Sequence, residues 1–222
     1  MTSEYATLDE NREKLIESAG HVFAEVGFQN ATVREICARA GMNVAAVNYY
    51  FGEKLGLYTE VLRSSLLAEQ VDVMNSSMAL ASDPRAALQA LICDWFERMG
   101  AGARRAWSTH ILAHEMTHPT PALDLVAEAM GANYLRFRAI VGKLIGRDPD
   151  DLCTRMCTHS VVGQILHYAH ARPMLSRLWP DLNLENHERR HMLAEHIVEF
   201  SLAGMESIAY KKEKSAEDSS SS

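Results

Sequence analysis

The chain has 222 residues, 47% of them hydrophobic, which allows one large or two small domains and suffices to bury a core. Glycine (12) and proline (6) are sparse and apolar residues recur at helical spacing, so the fold class expected is all-α. A formal net charge of −7 argues against tight non-specific binding to nucleic acid.

The N-terminus, Met1-Thr2-Ser3-Glu4-Tyr5, lacks the charged and apolar regions of a signal peptide, and no apolar stretch is long enough to cross a bilayer. Cys37, Cys93, Cys153 and Cys157 fall inside predicted helices. That pattern implies reduced thiols and a cytoplasmic location, not a disulfide framework.

Residues 1–9 read as a loose arm. A first helix is predicted over about 10–26, with Leu15, Ile16, Ala19, Val22, Phe23 and Val26 on one face and Gly27 as its stop. Thr32 is an N-cap, and Glu35 three residues on makes a capping box. Val33, Ile36, Cys37 and Ala40 then share a face. Gly41 ends this second helix, where a tight turn favours positive φ. Asn43 caps a third, which is too short to be stable alone and must lean on a neighbour. Val47, Tyr50 and Phe51 can pack inward. Val44, Ala45, Ala46, Asn48 and Tyr49 are left outside, a surface of small residues beside one amide and one phenol that can approach a DNA groove. This is the helix-turn-helix pattern.

A long fourth helix opens at Gly52-Glu53-Lys54 and is expected to reach between Met74 and Leu80. Ser82-Asp83-Pro84 marks a boundary. Further helices follow over about 84–99, 103–117, 122–144, 150–171 and 185–210, with one possible short helix within 172–184. The prediction is therefore about nine helices, with a charged, serine-ended tail over 211–222 expected to be disordered.

Within this frame, His114-Glu115-Met116-Thr117-His118 fits the H-E-x-x-H pattern, in which two histidines hold zinc and the glutamate activates water. Pro119 directly follows the second histidine, and no third ligand follows at a family spacing. A small zinc-dependent hydrolase using His114, Glu115 and His118 is therefore the alternative function, not the main one. No metal site and no cofactor are expected. Cys153 and Cys157, four apart, read either as core or as a redox pair.

The run Thr32-Val33-Arg34-Glu35-Ile36-Cys37-Ala38-Arg39-Ala40-Gly41, continuing through Asn43 and Asn48-Tyr49-Tyr50-Phe51 to Lys54, resembles the DNA-binding domain of TetR-type transcriptional regulators. So does Phe23-Ala24-Glu25-Val26-Gly27-Phe28 before it. The match covers roughly residues 10–62. One departure is Asn48, which stands where many members carry tyrosine.

The resemblance implies a helix-turn-helix domain over 1–55 (motif 32–51) and an effector-binding and dimerisation domain over 56–210. It implies a non-enzymatic regulator, a repressor released from its operator by a small molecule. Partners would be double-stranded DNA with a near-palindromic operator, a second copy of the chain and an effector, with no membrane. Thr32, Asn43, Val44, Ala45, Ala46, Asn48, Tyr49 and Lys54 would meet DNA. Asn48 can pair with adenine and the alanines can touch a thymine methyl. Thr32, Tyr49 and Lys54 would meet phosphate.

An apolar effector cavity would be lined by Trp95, Met99, Trp107, His110, Ile111, His114 and Phe137. Val162, Ile165, Leu166 and Ala169 on one late helix, with Ile197, Phe200 and Gly204 on the last, read either as monomer core or as a four-helix interface. The family implies the interface.

Overall fold

A computed structural model describes residues 2–70, 83–100 and 107–220, and the side chains within 9–66, 83–97 and 107–209. The described residues form ten helices. These are α1 (Thr2–Asn30), α2 (Val33–Ala40), α3 (Val44–Phe51), α4 (Lys54–Gln70), α5 (Pro84–Gly100), α6 (Ser108–Thr117), α7 (Leu123–Ile145), α8 (Leu152–His170), α9 (Arg172–Leu178) and α10 (His187–Ser220).

The chain divides into two compact units. The first holds Met1–Gln70 and Arg104–Ala129, the second Val71–Ala103 and Met130–Ser222. This is not the expected break after residue 55. The physical reason is burial. Leu57, Tyr58, Val61 and Leu62 of α4 lose all contact with water, or nearly all, as do Trp107 and Ile111 at the start of α6. These helices pack on α1, which supplies Leu15, Ile16, Ala19, Val22 and Phe23. An aliphatic or aromatic side chain so enclosed contributes roughly 1.5–3 kcal/mol, so α4 and α6 are held to the head.

Trp107 shows how close the packing is. It is 2% exposed, and its ring lies against Gly20 so tightly that a Cβ there would fall 2.2 Å from a ring carbon. In the second unit α5 runs along α10, and both meet α8. Leu88, Ile92, Phe96, Phe137, Ile140, Val141, Val161, Ile165, Ala194 and Ile197 are among its core residues.

Two expected loose ends are helical. α1 already begins at Thr2, and α10 continues to Ser220 through the tail read as disordered. The tail's opening run, Lys211-Lys212-Glu213-Lys214, and Ala216-Glu217 beyond it are residue types that favour helical backbone. The expected extension of α4 toward residue 80 lies outside the described residues.

Candidate nucleic-acid interface

The motif is set by three local devices. Thr32 holds extended backbone, and its Oγ1 accepts from Glu35 N–H at 3.2 Å. Gly41 adopts φ 69°, and its N–H donates to Ala38 O at 3.3 Å, turning the chain out of α2. Asn43 Oδ1 accepts from Ala45 N–H at 3.0 Å and starts α3. Neither cap exhausts its side chain. The Thr32 hydroxyl proton and the Asn43 amide protons remain available to an acceptor such as a phosphate oxygen.

Val47 seats α3 on the head with no exposed surface, while Tyr50 and Phe51 are half-buried. The opposite side presents Val44, Ala45, Asn48 and Tyr49 to solvent, with Ala46 half-buried. Tyr49 is 74% exposed and its ring stands edge-on to Tyr50, 4.9 Å between centroids. A narrow helix with one projecting amide and one projecting phenol suits a major groove.

The charges around this surface are mostly engaged inside the head. Arg12 bonds Glu60, tying α1 to α4, and Arg39 bonds Glu25 at 2.9 Å, tying α2 to α1. Lys54, expected at a phosphate, directs its Nζ to the carbonyls of Phe28 (2.8 Å) and Ala31 (3.0 Å). A three-proton donor beside the frayed end of a helix finds backbone oxygen closer than any ligand. Arg34, which the sequence reading passed over, is exposed on the first turn of α2 and pairs with no carboxylate among the described residues. Its position one residue past Val33 was the only signal for it.

The H-E-x-x-H segment has a different use. Glu115 is wholly buried and accepts from Tyr58 O–H (2.8 Å), Thr120 N–H (2.8 Å) and Thr120 O–H (3.0 Å). Burial, then the Glu115 carboxylate, push the Tyr58 phenol well above its ordinary pKa, so it stays a donor. A carboxylate held this way has no open side for water. His118 already lies past the end of α6, and among the described residues no three His, Cys, Asp or Glu groups gather as metal ligands.

Residues 15–61 match the family described as bacterial regulatory proteins, tetR family. Residues 84–205, more than half of the chain, match the C-terminal domain of the HTH-type transcriptional dual regulator CecR. The chain belongs to the TetR family of transcriptional regulators. CecR of Shigella flexneri is 29% identical over 170 residues, covering 72% of this chain and 76% of CecR. BetI of Stenotrophomonas maltophilia (strain R551-3) is 32% identical over 100 residues, covering 44% of this chain and 51% of BetI.

Two solved structures share the fold. HlyIIR, a hemolysin II transcriptional regulator, has a TM-score of 0.62 at 18% identity, covering 86% of this chain and 97% of HlyIIR. NalD from Pseudomonas aeruginosa has 0.60 at 20%, covering 88% and 95%. The TetR match makes this chain a DNA-binding transcriptional regulator with a helix-turn-helix head, and no described helix is long and apolar enough to cross a membrane.

The remaining expected residues of this TetR chain fall apart into groups. Of the expected effector cluster, Trp107, His110, Ile111 and His114 belong to the first unit, and Trp95 and Phe137 to the second. The Met99 side chain lies outside the described residues. Trp107 and Ile111 are core, enclosed with α1 and α4, and His110 is exposed.

Of the expected interface, Ile165, Ala169 and Ile197 pack inside the second unit, at 4% exposure or less. For these three the monomer-core alternative describes their burial. Phe200 is 65% exposed, Gly204 is exposed, and Val162 and Leu166 are half-buried. Leu152 (70% exposed) and Met156 (55%) extend the same side of α8, and Met192 extends that of α10.

Proposed function

We propose that this regulator is a homodimeric repressor that reads a near-palindromic operator through α3 and releases it when a small molecule binds the body. The solvent-facing side of α3, with Asn48 and Tyr49 projecting between small residues, is the observation that carries DNA reading. Asn48 would bond an adenine edge, Ala45 and Ala46 would meet thymine methyls, and Val44 would widen that apolar contact. Thr32, Asn43, Tyr49 and Arg34 would hold phosphates and fix the register.

Leu152, Met156, Val162, Leu166, Met192, Phe200 and Gly204 support a second copy docking on α8 and α10. Two-fold symmetry then requires half-sites a whole number of turns apart, ~10 base pairs each. NalD is described as a secondary repressor, which supports the sign, whereas CecR is described as a dual regulator. His110, His114, Trp95 and Phe137 stay candidates for the effector, with Trp107 and Ile111 shaping the core behind them. The action would be cytoplasmic.

The test is selection of bound duplexes from random DNA, with and without a metabolite library. A palindromic consensus that disappears with one metabolite supports the reading. No enrichment over bulk DNA, or asymmetric single half-sites bound by monomer, overturns it.

A further inference from the structure

Cys153 and Cys157 stand one turn apart on α8, which brings their side chains to the same face. Cys157 is 7% exposed and belongs to the core of the second unit, and half-buried Cys153 packs against that core. Both thiols are free, and they lie within hydrogen-bonding reach of each other. The first turn of α8 is held in place around them. Asp151 Oδ1 accepts from Cys153 N–H at 2.9 Å, and Thr154 Oγ1 donates to Asp148 O at 2.8 Å. Arg147, in the turn before α8, bonds the same Asp151 oxygen at 3.4 Å, and its charge reaches Cys157. Its Nε is buried without a hydrogen-bond partner.

Such a pair cannot close into a disulfide on an intact helix. Cβ atoms one turn apart stand ~5–6 Å from each other, whereas a disulfide needs ~3.5–4.5 Å. An atom inserted between the sulfurs spans that gap without unwinding α8. A linear bridge, as copper(I) or mercury(II) makes between two thiolates, would drive the sulfurs apart. Trivalent arsenic binds its ligands nearly at right angles, which keeps two sulfurs close. It takes three ligands, and among the described residues no third metal-binding side chain joins the pair. The third position therefore belongs to the ligand's own organic group.

We propose that Cys153 and Cys157 form a dithiol site for a monosubstituted trivalent arsenical, R–As(OH)2. Two As–O bonds break and two As–S bonds form. Each thiol proton leaves with a hydroxide as water, and arsenic stays trivalent, so no oxidant is needed. Burial and the neighbouring thiol keep Cys157 protonated, which slows alkylation but does not oppose a condensation that carries the proton away. Cys153, the more exposed thiol, is the point of entry, and the second bond then closes within the chain. The bound sulfurs remain acceptors, which suits the spare N–H of Arg147. Binding requires neither DNA nor a second copy of the chain.

The test uses the full chain and phenylarsine oxide, with Cys153→Ser, Cys157→Ala and, as controls, Cys37→Ala and Cys93→Ser. Intact mass gives the stoichiometry, peptide mapping the residues, and quenched-flow mass spectrometry the rate. One arsenical per native chain is expected, bridging Cys153 and Cys157, with circular dichroism unchanged and a rate proportional to arsenical concentration. Excess monothiol should leave it in place, and ethanedithiol should remove it. Cys153→Ser and Cys157→Ala should each weaken binding about 100-fold or more, because attachment at one point loses the chelate. The two controls should bind as the wild type does.

No adduct, an adduct on Cys37 or Cys93 instead, unchanged binding in Cys153→Ser, or ready removal by monothiol would each overturn the site. So would a rate that stops rising with arsenical concentration, because the thiols would then meet the ligand only when the chain opens. If Cys157→Ala fails to fold, Cys153→Ser decides, since its side chain is only half-buried.

Discussion

Asn48 and Cys157 show how a single side chain's surroundings set its use. Asn48 is exposed on α3 with a free amide, so Asn48→Ala should cost roughly 1–3 kcal/mol on the best duplex and relax the base preference at one position. Equal losses on selected and random DNA, read by competition anisotropy, would mean that it reads no base. Cys157 has the opposite setting. Burial first, then the neighbouring Cys153 thiol, push its thiol up to about 11. At pH 8 only about one molecule in a thousand then carries the reactive thiolate. Native protein treated with iodoacetamide at pH 8 should stay unlabelled at Cys157, with the rate rising roughly tenfold per pH unit toward that pKa, and label at once in denaturant. Fast native labelling, seen by peptide mass, would favour a redox role over the core role that its place in the second unit supports.

At the scale of helices, α8 and the described side chains of α10 each present a buried side and an exposed side. Among the described residues of α10, Phe200 is the largest exposed apolar side chain. Phe200→Glu should raise the dimer dissociation constant about 100-fold or more, as loss of a central aromatic anchor does, and leave the fold intact. Light scattering with circular dichroism measures both, and an unchanged dimer would move the interface elsewhere. The join between α4 and α6 gives another expectation. Tyr58→Phe removes the donor to buried Glu115 and should cost about 1.5–3 kcal/mol in urea unfolding at matched protein concentration. Helix boundaries from α5 to α9 were legible because Gly, Pro and Asp mark their ends, as Pro84, Pro119 and Asp151 do. The side each helix buries was less legible. Ile165 and Ile197 lie on apolar stripes too wide to tell core from interface, and only the packed partners separate them. Lys54 raises a related difficulty: a lysine at a helix start looks solvent-bound in sequence, and nothing in its neighbours reveals the carbonyls of Phe28 and Ala31 that its Nζ meets.

For the whole molecule, the awkward net charge has a local explanation. Residues 1–60 carry five Lys and Arg, and Arg12, Arg39 and Lys54 are engaged within the head. Within residues 1–60 Lys14 and Arg34 remain, two per chain and four per proposed dimer. Each displaced counterion contributes about −0.9 to the slope of log binding constant against log salt, so the slope should be no steeper than about −4. A markedly steeper slope would require phosphate contacts from beyond these four side chains. The two-unit division was not legible in the chain, because α4 reads as a connector by its length. What binds it to the head is the burial of Leu57, Tyr58, Val61 and Leu62, which depends on residues of α1 and α6 far away in sequence.

The seat of Trp107 against Gly20 also makes the molecule its own optical probe. Three tryptophans serve the chain: Trp107 is sealed in the first unit, while Trp95, half-buried, and Trp179, at 41% exposure, belong to the second. A sealed indole emits toward the blue and resists collisional quenchers, whereas a wet one emits toward the red and is quenched at once. A variant carrying Trp95→Phe and Trp179→Phe would report the head alone, and one carrying Trp107→Phe the body alone. Their melting curves, recorded by emission, would show whether the reading head and the body lose their structure in one event or in two.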